Sequence, residues 1–192
     1  MVHVQIFTFS YDDSMREVVK QATHRLQGLD AKYLGQQIED NSLGYCVLQW
    51  KSDVDVIEDH EVASLLKARG KTFELTTITV DNEEDIDELR TLLSLPVQEF
   101  TAATLKSSYK RSDWEEAVNT LRSDKGTGKV SGFLSVVLGQ DVRNSEGYVL
   151  LSGWNSYEEA DMAQKRPEAG YNEDMLAAVD IRVKHANVVM SA

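Results

Sequence analysis

Residues 35–52 read GQQIEDNSLGYCVLQWKS, and residues 139–156 read GQDVRNSEGYVLLSGWNS. Gly35-Gln36 stands against Gly139-Gln140, Asn41-Ser42 against Asn144-Ser145, Gly44-Tyr45 against Gly147-Tyr148, and Trp50 against Trp154, with one gap allowed on each side. Agreement of this extent marks an internal repeat, so each half of the chain carries the same strand, turn and strand. Upstream, Ser10-Tyr11-Asp12-Asp13-Ser14 parallels Ser108-Tyr109-Lys110-Arg111-Ser112. Ser14 with Glu17, and Ser112 with Glu115, have the spacing of a capping box, in which serine and acid each satisfy an orphan amide of the first helical turn. After each tryptophan, Ser52 with Asp55 and Ser156 with Glu159 predict the start of a second helix.

The remaining periodicities fill in the same order twice. Val2–Ser10 alternates as a strand, and Met15, Val18, Val19 and Ala22 then form a helical stripe. Residues 31–40 and 44–51 read as strands around a turn, 54–69 as a helix and Phe73–Val80 as a strand. The second half repeats this with a strand over 99–106, a helix marked by Trp114, Ala117, Val118 and Leu121, strands over 130–142 and 148–153, a helix from Tyr157 interrupted near Pro167 and Gly170, and a last strand Val179–Met190. Residues 81–93 put Ile86, Leu89 and Leu93 on one helical face and end before Pro96, which predicts a connecting helix. The fold class is therefore α+β, with two βαββαβ units: residues 1–80, a connector 81–96, and residues 97–192. Tyr45 and Trp50 are five apart, whereas Tyr148 and Trp154 are six apart, and a β-bulge at Gly153 would restore the two tryptophans to one face.

Thirty-two acidic against twenty basic residues give a formal charge of −12, which repels nucleic-acid phosphates and anionic membranes alike. No window is long and apolar enough to span a bilayer, and no leader pattern precedes the first strand, so a soluble, cytoplasmic protein is expected. The lone Cys46 sits in an apolar run and reads as a buried thiol. The glycines of 125–129 superficially suggest a phosphate loop, but they lie between helix and strand rather than strand and helix and read as a turn.

Two βαββαβ units, each with G-Q-x-[IV], a turn, an apolar strand and W-x-S-x-x-[DE], resemble the dimeric α+β barrel superfamily, which includes stress-responsive A/B barrel proteins and antibiotic biosynthesis monooxygenase-like domains. The resemblance covers nearly the whole chain. It implies two ferredoxin-like sheets paired into a barrel, here within one chain as a pseudo-dimer. It also implies activities such as cofactor-free oxygenation of polycyclic phenols, polyketide cyclisation or isomerisation, although some members have no known reaction. The haem-degrading branch is similar around Trp50-Lys51-Ser52 but carries a tryptophan and histidine spacing that Asp59-His60 lacks. No metal, flavin or haem is expected.

Among the four histidines, His24 lies off its helix's apolar stripe and His60 at the edge of another. His185 alternates with Val179, Ile181 and Val183, and with Asn187, on the apolar face of the last strand, where a titratable group is partly buried. His3 shares a face with Gln5, Phe7 and Phe9. His185 or His3 is the candidate base, Tyr148 the candidate donor to a developing oxyanion, and Trp154, Trp50, Tyr45 and Asn187 the candidate ligand contacts. A core histidine satisfied by Asn187, and tryptophans that only anchor helix to sheet, are the structural alternative. Two functions follow: a cofactor-independent enzyme acting by proton transfer on a small apolar or aromatic metabolite, or a non-catalytic small-molecule-binding or stress-responsive barrel. Neither calls for a nucleic-acid or membrane partner.

Overall fold

The structure is a computed structural model in which residues 1–51, 61–123, 130–165 and 177–190 are described. The elements run β1 (Val2–Ser10), α1 (Asp13–His24), β2 (Leu29–Gln37), β3 (Leu43–Trp50), α2 (Glu61–Ala68), β4 (Phe73–Val80), α3 (Glu83–Leu92), β5 (Val97–Leu105), α4 (Arg111–Ser123), β6 (Phe133–Asp141), β7 (Gly147–Trp154), α5 (Tyr157–Lys165) and β8 (Val179–Met190). The predicted caps at Ser52, the glycines of 125–129 and the interruption near Pro167 and Gly170 lie outside the described residues. No helix among the described residues is long and apolar enough to cross a membrane.

The eight strands of the described residues close into one antiparallel barrel in the order β1-β3-β2-β8-β5-β7-β6-β4. The first half contributes β4-β1-β3-β2 and the second β8-β5-β7-β6, so the two halves have the same strand order and meet at two seams, β2 with β8 and β4 with β6. Closure leaves no unpaired sheet edge. Side chains alternate between the barrel interior and the helix-covered outside. Val4, Ile6, Tyr45, Val47, Ile78, Phe100, Val149 and Val188 fill the interior. Leu89 and Leu92 of α3, with the capping Leu93, join that cluster beside Val2, Val80 and Val137, closing one end. Phe7, Phe9, Leu48 and Trp50 meet α1 and α2 through Met15, Val19 and Leu66, and Leu150, Trp154 and Ala103 meet α4 and α5 through Trp114, Val118 and Ala160.

The register corrects the gapped reading of the repeat. Leu29 pairs Trp50 and Gly35 pairs Tyr45, while Phe133 pairs Trp154 and Gly139 pairs Val149. The two stretches therefore correspond without gaps: Gly35 with Gly139, Tyr45 with Val149, Gly44 with Tyr148, and Trp50 with Trp154. The two Gly-Tyr doublets are out of phase by one residue, and on a strand one residue reverses the face. Tyr45 accordingly points into the barrel, its ring 4.8 Å from Phe100, whereas Tyr148 points outward, 6.4 Å from Trp114. No bulge is needed at Gly153: β7 pairs β5 without a shift, and the irregularities fall on β6 between Phe133 and Ser135 and on β2 between Leu29 and Ala31.

The helix starts are corrected in part. Asp12 rather than Ser14 caps α1, accepting from the Met15 amide at 3.0 Å, and α4 opens at Arg111, ahead of Ser112. An ionised carboxylate is a stronger acceptor for an orphan amide than a hydroxyl. Ser156 caps α5 as its spacing predicts, accepting from the Glu159 amide at 3.3 Å.

Candidate functional site

His185 lies on the outward face of β8 beneath α5 and is 2% exposed. Its partner across the ladder on β5 is Glu99, which is fully buried. The Glu99 Oε2 lies 3.2 Å from His185 Nε2, and Glu99 Oε1 accepts from the Thr101 hydroxyl at 3.0 Å. On the other side the chain leaving β2 turns so that the Ile38 amide bonds the His185 carbonyl at 2.9 Å. That places Glu39 over the ring, its Oε1 2.5 Å from His185 Nδ1, and both its oxygens also accept from the His185 amide, at 3.1 and 3.3 Å. From α5, the Gln164 amide lies 3.0 Å from His185 Nε2, and the Tyr157 ring stands edge-on to the imidazole at 5.2 Å. The cluster thus straddles the β2–β8 seam, with Glu39 from one half and the remaining groups from the other.

Burial alone would hold His185 neutral, and it is the largest single influence on the ring. The hydrogen bonds and negative charge of Glu99 and Glu39 together outweigh it, so the pKa is raised above the usual histidine value. In its protonated form the ring can donate Nδ1–H to Glu39 and Nε2–H to Glu99. A group that binds its proton more tightly folded than unfolded stabilises the fold fully below its unfolded pKa of roughly 6.5, and that contribution is lost as pH rises through the folded value. The urea midpoint is therefore expected to fall as pH increases above about 6.5, and His185→Gln to flatten that slope. An equal slope in both proteins would contradict the assignment.

The corresponding positions in the first half are neutral. Gln5 pairs Thr77 where Glu99 pairs His185, and the Val142 amide bonds the Thr77 carbonyl at 2.9 Å as Ile38 does for His185. Arg143 thus stands where Glu39 stands at the other seam. Gln5 Oε1 accepts from the Trp50 indole at 3.0 Å, whereas the Trp154 indole nitrogen has no partner among the described residues.

The remaining predicted residues are dispersed. Asn187, exposed and two residues beyond His185, lines a cleft of about 250 Å³ with Tyr11, Arg16 and Gln36. Tyr148 lines the corresponding cleft of about 230 Å³ in the second half, with Thr79, Arg111 and Gln140. Burial raises the Tyr148 pKa, with Arg111 opposing. Tyr45 opens onto the mouth of the barrel, and burial pushes its pKa up to about 12 against a hydrogen bond with Thr8. His3 faces outward with an enclosed Nδ1 that has no partner among the described residues. Trp50 and Trp154 are buried, Trp154 edge-on to Phe133 at 5.3 Å. His24 lies at the surface 3.0 Å from Lys32, and His60 lies outside the described residues. Glu99, Glu39 and Gln164 escaped the sequence reading. Glu99 alone carried a signal, because alternation sets it with Val97 and Thr101 on a buried strand face.

No protein-family model matches the chain, and no curated protein matches it. Solved structures do share its fold. A candidate monooxygenase from Lactobacillus acidophilus NCFM is 11% identical, with a TM-score of 0.61 over 100% of this chain and 96% of the other. An anthrone oxidase-like protein is 15% identical, with a TM-score of 0.58 over 98% and 91%. A candidate chlorite dismutase is 9% identical, with a TM-score of 0.67 over 98% and 96%. At these identities the likeness is one of fold: an α+β barrel built from ferredoxin-like sheets.

Proposed function

We propose that this chain is a cytoplasmic, cofactor-independent enzyme that moves a proton on a small aromatic or apolar metabolite, leading to oxygenation, isomerisation or cyclisation. Its two ferredoxin-like units, residues 1–80 and 97–192 joined by 81–96, descend from a tandem duplication, and the monomer is an intrachain pseudo-dimer with one working site. The observation that carries this reading is His185 locked between Glu39 and Glu99 on one seam only. Buried ionisable groups are costly unless paired, and the first half folds the same position with Gln5 and Thr77. Both imidazole nitrogens are engaged, so the ring is not set up to ligate a metal or haem iron.

In this mechanism the three side chains act together through their hydrogen bonds. Glu39, the member open to solvent with its side chain 28% exposed, receives the substrate proton, and His185 and Glu99 hold the balancing charge. The anthrone oxidase-like neighbour suggests anthrone as the first probe. Loss of its methylene proton gives a carbanion that reduces dioxygen, and the resulting hydroperoxide loses water to leave the quinone, one O2 consumed per quinone formed. Oxygen uptake and quinone absorbance should agree in the wild type, kcat/KM should fall about 10²–10⁴-fold in Glu39→Gln, and Arg143→Gln at the opposite seam should keep the wild-type rate. Absence of turnover on anthrone and on a panel of hydroxylated polycyclic phenols, or equal rates in Glu39→Gln, would remove this reading. The second reading, a non-catalytic binding barrel, is favoured by the clefts described above, none of which is lined by His185. A ligand held without turnover would select it.

A further inference from the structure

The open end of the barrel, opposite the end closed by α3, holds a cleft of about 510 Å³ that continues into a pocket of about 190 Å³. Thr8, Tyr45, Glu74, Arg182 and Lys184 line both. The inner pocket is walled by five corresponding pairs, one member from each half: Ile6 with Phe100, Thr8 with Ala102, Tyr45 with Val149, Glu74 with Arg182, and Thr76 with Lys184. Three of the pairs are apolar or weakly polar. The other two differ in charge, because β4 supplies Glu74 and Thr76 where β8 supplies Arg182 and Lys184.

In a chain of net charge −12, neither cation has a hydrogen bond or ion pair among the described residues. Glu74 shares the rim without an ion pair to either, and Asp40, whose carboxyl is held low mainly by Ser42, feels the charge of Lys184 without bonding it. Below the cations lie the Phe100 ring, Ile6 and Val149, with the Tyr45 hydroxyl kept protonated and able to donate. We infer that the barrel mouth binds a small aromatic monocarboxylate, its carboxylate on Arg182 and Lys184 and its ring between Ile6, Phe100 and Val149. A guanidinium and an ammonium over an apolar floor suit a carboxylate with an apolar body. The site lies inside the barrel, whereas His185 faces the helices outside it, so binding here does not depend on the catalytic reading.

Calorimetric titration of the wild-type protein with 2-naphthoate, and with 2-naphthylmethanol as the neutral isostere, tests this. The expected result is one naphthoate per chain, at least tenfold weaker binding of the alcohol, and at least tenfold weaker naphthoate binding in Arg182→Gln/Lys184→Gln, with affinity in the wild type falling as salt rises. Both cations are exposed, so the double variant should keep its circular dichroism spectrum. No naphthoate binding at millimolar concentration, equal affinity for the alcohol, or undiminished affinity in the folded double variant would overturn the proposal.

Discussion

His185→Ala is expected to destabilise the protein by about 3–5 kcal/mol, because it removes one partner of a buried ion pair and leaves the other charged. Glu99 is fully buried, and without the imidazole its Oε2 loses the 3.2 Å contact with Nε2 and retains the Gln164 amide at 3.4 Å. At about 2–4 °C per kcal/mol for a chain of this size, the melting temperature should drop by roughly 6–20 °C. The double variant His185→Ala/Glu99→Gln separates lost packing from stranded charge: it should recover a large part of the loss, since a neutral amide carries a far smaller desolvation cost than a carboxylate. A single-variant loss under about 1 kcal/mol, or a double variant no better than the single, would show that the three groups do not form a charged cluster.

Gly35→Ala is the second large effect, expected at about 3 kcal/mol. A Cβ there would lie 1.9 Å from the Asn187 carbonyl oxygen, backbone against backbone across the β2–β8 seam, and no rotamer change relieves such a clash. The seam must open, and with it the geometry that brings Glu39 to His185. Gly139→Ala at the opposite seam should cost less, because its nearest neighbour, 2.4 Å away, is the Cδ1 end of the Ile78 side chain, which can shift. Urea denaturation of the two variants checks both the size and the order of the effects. Each glycine of the repeated G-Q sits where one half's sheet meets the other's, and a Cβ would press on backbone at Gly35 and on the Ile78 side chain at Gly139.

The alternating strands, the helical stripes and the repeated tryptophans made the element order legible in the sequence, since each reflects a burial pattern that a single half already dictates. Phase within the repeat was not legible. Matching Gly44-Tyr45 to Gly147-Tyr148 is the natural alignment by identity, yet the ladders set Gly44 against Tyr148, and one residue of slip turns a tyrosine from the barrel interior to the helix layer. For the site, His185 was visible because a histidine among Ile181 and Val183 breaks an apolar face. Its carboxylates were harder to see: Glu39 reaches it only because the barrel closes β2 onto β8, a contact between positions 146 residues apart. Asn187, chosen as its neighbour by the same alternation, points instead to a separate cleft.

Imidazole nitrogen NMR across a pH titration reads the charge state of His185 directly. The ring is expected to be protonated at both nitrogens at pH 6, with a titration midpoint above the usual histidine value of roughly 6.5 that moves down in Glu39→Gln. A neutral ring at pH 6, or a midpoint unmoved by Glu39→Gln, would contradict it.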